Sequence, residues 1–156
     1  MSAETAGPVV ISVNISDEKG TKKCAVGHCM AVVKQGLEGD AHAGDWHRQI
    51  SLLATESISK MRDAGLDVWP GDFGENVTTQ GIDLPVLPIG TRLRTSAGVL
   101  LEVTQIGKVC HERCNIYYEA GDCVMPREGI FVIVIEGGEI SEGDRISIEA
   151  SEPKEA

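Results

Sequence analysis

Short stretches of alternating or continuous apolar residues recur along the chain, separated by polar turns that are rich in glycine. This spacing is typical of half-buried β-strands. We predict strands at Val9–Ile15, 24–33, 49–54, 75–79, 91–95, 99–104, Ile130–Glu136 and 145–149. A turn is predicted at 137–138, directly after the strand Ile130–Glu136. Many short strands joined by glycine-rich turns favour a mainly β architecture of the barrel or sandwich type.

One stretch, 55–64, departs from the strand pattern. Ile58 and Met61 are spaced to lie on one face of a helix, Thr55 is of a type that caps helices, and Gly65 follows. Helices commonly begin at Ser, Thr, Asp or Asn and end at Gly. We therefore predict a helix over 55–64 that is capped by Thr55.

The length of 156 residues is suited to one domain with a continuous core. Residues 1–8 and 151–156 are polar ends that we expect to be disordered, which leaves 9–150 as a single domain. No apolar run is long enough to cross a bilayer, and the first residues lack the basic start and apolar middle of a secretion signal. A cytoplasmic location is expected.

Composition and charge narrow the class of partner. Aromatic residues make up 4% of the chain, so the core is expected to be aliphatic, and the formal net charge is -10. An acidic surface repels nucleic acid and anionic membranes, and neither is expected as a partner. No glycine-rich phosphate loop joins a strand to a helix, which disfavours a nucleotide-binding α/β fold. An anionic small ligand would need a local cationic pocket.

A first polar loop, 39–49, is dense in residue types that bind ligands. It contains two Asp, two His, an Arg and a Trp beside the apolar stretch 49–54. Ligand contacts tend to lie on loops that a rigid scaffold holds in place. The alternative is a long solvated connection whose histidines are incidental, and the residues alone leave both interpretations open. The candidate binding residues of this loop are Asp40, His42, His47 and Arg48.

A second polar segment contains Cys110 among basic residues. A thiol reacts as the thiolate, and neighbouring positive charge lowers a thiol pKa. The same charge would suit an anionic ligand that carries phosphate. The alternative is that Cys110 and Cys114 are small buried apolar side chains, as free cysteines usually are. The basic residues of this segment are Lys108, His111, Arg113 and Arg127.

The number of cysteines, five, is odd, and a domain of this size does not need disulfides. The cysteines therefore also permit a zinc site. The four-residue separation of Cys110 and Cys114 is tolerable for zinc, whereas that of Cys24 and Cys29 fits poorly. Structural zinc is therefore the less favoured interpretation. The two clusters that it would use are Cys24, His28 and Cys29, and Cys110, His111, Cys114 and Cys123.

Seven short stretches occur in a characteristic order and spacing: 12–16 (SVNIS), 39–44 (GDAHAG), 46–49 (WHRQ), 71–76 (GDFGEN), 101–108 (LEVTQIGK), 110–111 (CH) and 125–131 (MPREGIF). Together they resemble the small stand-alone members of the MOSC family, named for the C-terminal domain of molybdenum cofactor sulfurases. The resemblance runs from about Val10 to Ile148, and the order and spacing of the stretches make it specific.

The resemblance implies a MOSC-type β-barrel with a few short helices that binds the molybdenum cofactor (molybdopterin). The family's signature cysteine, thought to carry sulfur as a persulfide or to ligate molybdenum, falls on Cys110. Glu75 and Asn76 fall on a stretch that faces the cofactor in larger relatives, and Ser57 lies in a loosely matching cofactor loop. Whether Cys114 resolves a persulfide on Cys110 stays open.

The resemblance also implies partners. The chain has no room for the pyridoxal-phosphate domain that mobilises sulfur in the sulfurases, so it would need a sulfur donor protein, a molybdoenzyme acceptor, or both. It lacks the extra segment of the amidoxime-reducing relatives, which disfavours reduction of N-hydroxylated substrates. A carrier that presents the cofactor without turnover is the main alternative. The residues do not choose between a monomer and a homodimer.

Overall fold

The structure is a computed structural model, and it describes residues 7–17, 23–41, 43–107 and 128–149. These residues form β-strands, one α-helix and one 3₁₀ turn, so the mainly β class is confirmed. In chain order the elements are β1 (Val9–Ile15), β2 (Cys24–Ala25), β3 (His28–Val32), β4 (Gly36–Leu37), β5 (Ile50–Ala54), α1 (Thr55–Asp63), β6 (Val77–Gln80), the 3₁₀ turn (Leu84–Val86), β7 (Arg92–Thr95), β8 (Leu100–Ile106), β9 (Ile130–Glu136), β10 (Gly138–Ser141) and β11 (Ile146–Glu149).

Two sheets are formed, an eight-stranded one in the order β11-β7-β8-β9-β5-β6-β1-β2 and a three-stranded one in the order β10-β3-β4. All pairs are antiparallel except β5 and β6, which run parallel because α1 crosses over between them. Among the described residues, the strand ladders do not close into a continuous barrel. However, Val10 and Asp144 share a backbone hydrogen bond of 2.8 Å, and Val9 bridges Arg145, so β1 meets the start of β11.

The apolar strands separate two clusters of buried side chains. In β9, Ile130 and Val132 enter the main aliphatic core, while Phe131 packs with Ile58 and Met61 of α1 in the second cluster. A strand with both faces covered reads as a continuous apolar run instead of an alternating one. This is why Ile130–Glu136 was predicted with the bounds that the structure has.

The start of α1 differs from its prediction. Thr55 is the first helical residue, Ala54 occupies the cap position, and no side chain caps the helix. The prediction of a Thr55 cap was wrong because β5 runs directly into α1 without the turn that a capping side chain needs. No helix in the described ranges is long and apolar enough to cross a membrane.

The three-stranded sheet was largely missed. The predicted stretch 24–33 is two strands, separated at Gly27. The second residue of the predicted turn at 137–138 is already the first residue of β10, which pairs with β3. A Cβ on Gly137 would lie 2.7 Å from the carbonyl oxygen of Ala31, so glycine allows the two chains to approach here. That approach depends on a residue more than one hundred positions away, which local spacing does not reveal.

Candidate functional site

Hydrogen bonds join the first polar loop to both ends of the second. His47 Nε2 lies 2.8 Å from Gln105 Oε1, and Gln105 Nε2 donates to the Gly107 carbonyl at 2.7 Å. The Gly107 amide in turn donates to the Gly129 carbonyl at 2.7 Å. The loop that leads into β5 therefore lies beside the two points where the chain enters and leaves the span 108–127.

Most of the predicted thiol site falls in that span. Its residues lie outside those that the structure describes, and so does one residue of the first loop. They are Lys108, Cys110, His111, Arg113, Cys114, Cys123 and Arg127, together with His42.

Arg48 has a buried donor without a partner. Its guanidinium carbon lies 4.9 Å from the centre of the Trp46 ring and 5.3 Å from that of Phe131. Its Nε is buried and makes no hydrogen bond within the described part of the chain. A buried unmade hydrogen bond costs about 1–3 kcal/mol. An anionic oxygen would satisfy this donor, because guanidinium groups bind carboxylate and phosphate strongly.

Arg62 shows what a satisfied arginine looks like in the same molecule. Its guanidinium also stacks on an indole, with 4.3 Å to the Trp69 ring centre. Its Nε, however, donates to the Val68 carbonyl at 2.9 Å. Ring stacking is thus common to both arginines, and the unpaired Nε distinguishes Arg48.

Ser57 links α1 to Glu128, the residue that directly follows the span 108–127. Its hydroxyl donates to Glu128 Oε1 at 2.5 Å, and Lys60 Nζ lies 2.8 Å from Glu128 Oε2. The three side chains line a cleft of about 480 Å³ that also contains the carboxylates of Glu56 and Asp83. Three carboxylates against one ammonium leave this cleft acidic, so a phosphate would be repelled here. The predicted cofactor contact of Ser57 stays a prediction.

Asp40 is placed inside the protein. Its Oδ1 lies 2.9 Å from Lys23 Nζ, with side-chain exposures of 0% and 1%, and it accepts a 3.1 Å hydrogen bond from the Ser16 amide. Lys23 also holds the 71–76 loop, because its amide donates to the Gly71 carbonyl. The structure thus gives Asp40 a role in joining loops, and its contact with a cofactor stays a prediction.

Glu75 is buried in that loop. Its Oε2 accepts hydrogen bonds from the Gly71 amide at 2.8 Å and the Thr78 hydroxyl at 2.6 Å, while Oε1 has no partner within the described residues. Desolvation raises the pKa of Glu75, and the hydrogen bonds from Thr78 and Gly71 offset it only in part. Burial therefore favours the neutral carboxylic acid.

Asn76 ties three strands together. Its Oδ1 accepts from the Ser51 amide at 3.0 Å, and its Nδ2 donates to the Asn14 carbonyl at 3.2 Å. The side chain is 1% exposed. These bonds join β1, β5 and the start of β6. The expected contact with a cofactor is untested, while the contacts that the structure gives Asn76 are internal.

The first zinc cluster does not form. No group of three or more His, Cys, Asp or Glu side chains within residues 7–17, 23–41, 43–107 and 128–149 could hold a metal. Cys24 is exposed, and Cys29 donates to the Glu38 carbonyl at 3.2 Å. Burial raises the pKa of Cys29, which keeps it a thiol.

Two residues of this region were missed by sequence reasoning. Gln105 was read only as part of a resembling stretch, and Lys23 was not singled out. Gln105 contacts a residue 58 positions earlier, and Lys23 one 17 positions later. A polar residue at the end of a strand was the only local signal for Gln105.

Comparison with known proteins agrees with this architecture. The model of the MOSC domain matches residues 39–147, and the chain belongs to this family. MOSC domains are linked in general to the molybdenum cofactor. No curated protein matches the chain.

Solved structures share the fold. The YuaD protein from Bacillus subtilis matches with a TM-score of 0.76 at 20% identity, over 93% of this chain and 97% of that one. YiiM from Geobacillus stearothermophilus matches at 0.67 and 19%, over 91% and 75%. YiiM from Escherichia coli matches at 0.61 and 23%, over 90% and 70%. At these identities the likeness concerns the fold.

Proposed function

We propose that this protein binds the molybdenum cofactor where β8 ends and β5 and β9 begin, and that Cys110 carries sulfur or ligates molybdenum there. The observation that carries the proposal is the buried, unpaired Nε of Arg48 between Trp46 and Phe131. It is a buried donor of a cationic group that lacks an acceptor among the described residues, in a protein of net charge -10. The link of MOSC domains to this cofactor supports the same ligand.

The described residues fit the organic part of the cofactor. Molybdopterin combines a phosphate with a pterin ring system. Arg48 would hold the phosphate, since guanidinium and phosphate geometries match. Trp46 and His47, which meet edge to face at 5.8 Å, would provide the surface beside the pterin. The cofactor, when bound, would supply the molybdenum centre and its sulfur ligands, while these side chains bind and orient it.

Sulfur carriage by Cys110 follows ordinary exchange chemistry. The Cys110 thiolate would attack the outer sulfur of a persulfide on a donor protein. A sulfur–sulfur bond forms on Cys110 as the donor's sulfur–sulfur bond breaks, and the donor cysteine leaves as a thiolate. One sulfur changes hands with no net oxidation, so the step needs no further reactant. The basic neighbours of Cys110 would favour its thiolate form.

Cofactor binding is tested with two matched arginine variants. Wild type, Arg48→Ala and Arg62→Ala would be mixed with cofactor released from a molybdoenzyme, and bound molybdenum and pterin would be measured. We expect Arg48→Ala to weaken binding about 10- to 100-fold, the usual loss of a hydrogen bond to a charged group. Arg62→Ala should bind as wild type does, because its Nε is already satisfied. Equal binding by all three, or none by wild type, would contradict the proposal.

Sulfur carriage has its own test. Intact-protein mass spectrometry would be recorded for wild type and Cys110→Ser, before and after incubation with a persulfide donor. A gain of one sulfur that is lost only in the variant would support a carrier thiol at Cys110. No gain in either protein would refute sulfur carriage and leave molybdenum ligation or passive presentation of the cofactor as the role of Cys110.

A further inference from the structure

The amide of Gln105 can face only one way. Its Nε2 lies 2.7 Å from the carbonyl oxygen of Gly107, and a carbonyl oxygen only accepts hydrogen bonds. The NH₂ end of the amide must therefore point at Gly107. The oxygen end, Oε1, then faces His47 Nε2 at 2.8 Å.

This orientation determines which ring nitrogen of His47 carries the proton. Because Gln105 Oε1 is an acceptor, His47 Nε2 must be the donor. A neutral imidazole has one N–H, so Nδ1 is left with a lone pair. Within the described ranges, this Nδ1 has no hydrogen-bond partner.

The backbone and ring plane of His47 are also held. The Thr104 hydroxyl donates to the His47 carbonyl, and the Trp46 ring meets the imidazole at an interplanar angle of 71°. The His47 side chain is nevertheless exposed. His47, an oriented imidazole whose Nδ1 has no partner among the described residues, therefore directly precedes Arg48 in the chain, and the buried Nε of Arg48 also lacks a partner there.

We infer that Gln105 is a positioning residue that holds His47 as the Nε2-protonated imidazole, so that His47 Nδ1 accepts a hydrogen bond or proton from an N–H, O–H or S–H group of the ligand. The inference rests on the proposed function for the ligand and on hydrogen-bond geometry for the rest. Arg48 and His47 would then form a complementary pair that recognises an anionic group and a protonated group in one molecule.

The proton position can be read directly from the full-length protein without any ligand. Long-range ¹H–¹⁵N spectra of the imidazole rings at about pH 8, above the ordinary histidine pKa, report which nitrogen is protonated. His28 is the internal control, because its Nδ1 lies 2.8 Å from a carboxylate oxygen of Glu139. We expect Nε2–H for His47 and Nδ1–H for His28. An Nδ1–H signal for His47 would overturn the inference.

Two substitutions of Gln105 test whether that residue is the cause. Gln105→Leu removes the acceptor, and we expect His47 to lose its single protonated form while His28 keeps its own. Gln105→Glu keeps an acceptor toward His47 and should retain Nε2–H, even if the leucine variant does not fold. An unchanged His47 spectrum in Gln105→Leu, or loss of Nε2–H in Gln105→Glu, would show that Gln105 does not position the ring.

The ligand contact is tested separately. His47→Asn places an amide oxygen near the position of Nδ1, whereas His47→Gln places its amide near Nε2. With cofactor released from a molybdoenzyme as the probe, we expect both variants to bind more weakly than wild type, because the imidazole ring is lost, and the glutamine variant to bind about tenfold more weakly than the asparagine variant. Equal binding by both would overturn the role of Nδ1. If wild type does not bind the cofactor, the proposed function fails, while the imidazole spectra still decide the role of Gln105.

Discussion

Replacing Asp40 with asparagine should destabilise the protein strongly, because it removes the carboxylate charge that pairs with the buried Lys23 ammonium. The two side chains are almost fully buried and 2.9 Å apart. Breaking a buried ion pair by removing one partner costs about 3–5 kcal/mol. For a domain of about 150 residues, 1 kcal/mol lowers Tm by about 2–4 °C, so the expected fall is about 6–20 °C. Urea and thermal unfolding followed by circular dichroism would measure it.

Two comparisons make the test decisive. Glu102→Gln breaks the more exposed pair with Arg92, whose atoms are 3.1 Å apart, and should cost less than about 1 kcal/mol. The double variant Lys23→Met with Asp40→Leu should recover most of the stability, since apolar replacement of a buried pair is often neutral or stabilising. The reasoning would be refuted if Asp40→Asn unfolded like wild type but lost cofactor binding, which would make Asp40 a ligand contact.

Two further predictions concern the 71–76 loop. Burial raises the pKa of Glu75 above its ordinary value of 4.5. The stability that comes from its neutral form is therefore complete below that pH and is lost as the pH rises through the folded-state pKa. Glu75→Gln should remove this loss, and parallel unfolding curves for variant and wild type from about pH 4.5 upward would contradict it. Gly71→Ala should cost more than Gly98→Ala in urea unfolding. Both glycines have positive φ, but only the Gly71 Cβ would meet another atom, the Lys23 carbonyl oxygen at 2.3 Å. Equal losses would show that backbone strain alone, about 1–2 kcal/mol, decides both.

The accuracy of the predicted strands follows from how local their signals are. The bounds of β1 and β9 were predicted correctly, because the pattern of apolar residues within each strand indicates where it is buried. β10 was not predicted, and only its first residue fell in the predicted turn at 137–138, because four residues beginning with glycine carry little pattern of their own. That strand exists because β3 is available to pair with it.

By itself, the amino-acid sequence determined the mainly β class, the existence of helix α1 and the membership of the MOSC family, since these depend on spacing along the chain. It also identified the polar loops, because clustered His, Asp, Arg and Cys residues are unusual in turns. Only the tertiary structure decided which way those polar side chains face. Asp40 lies in the same polar loop as His47, and Asn76 lies in the 71–76 loop, yet both bond inward, Asp40 to Lys23 and Asn76 to Ser51 and Asn14. The physical reason is that the hydrogen-bond partner of a polar side chain determines its orientation, and these partners lie 17 to 62 positions away in the chain.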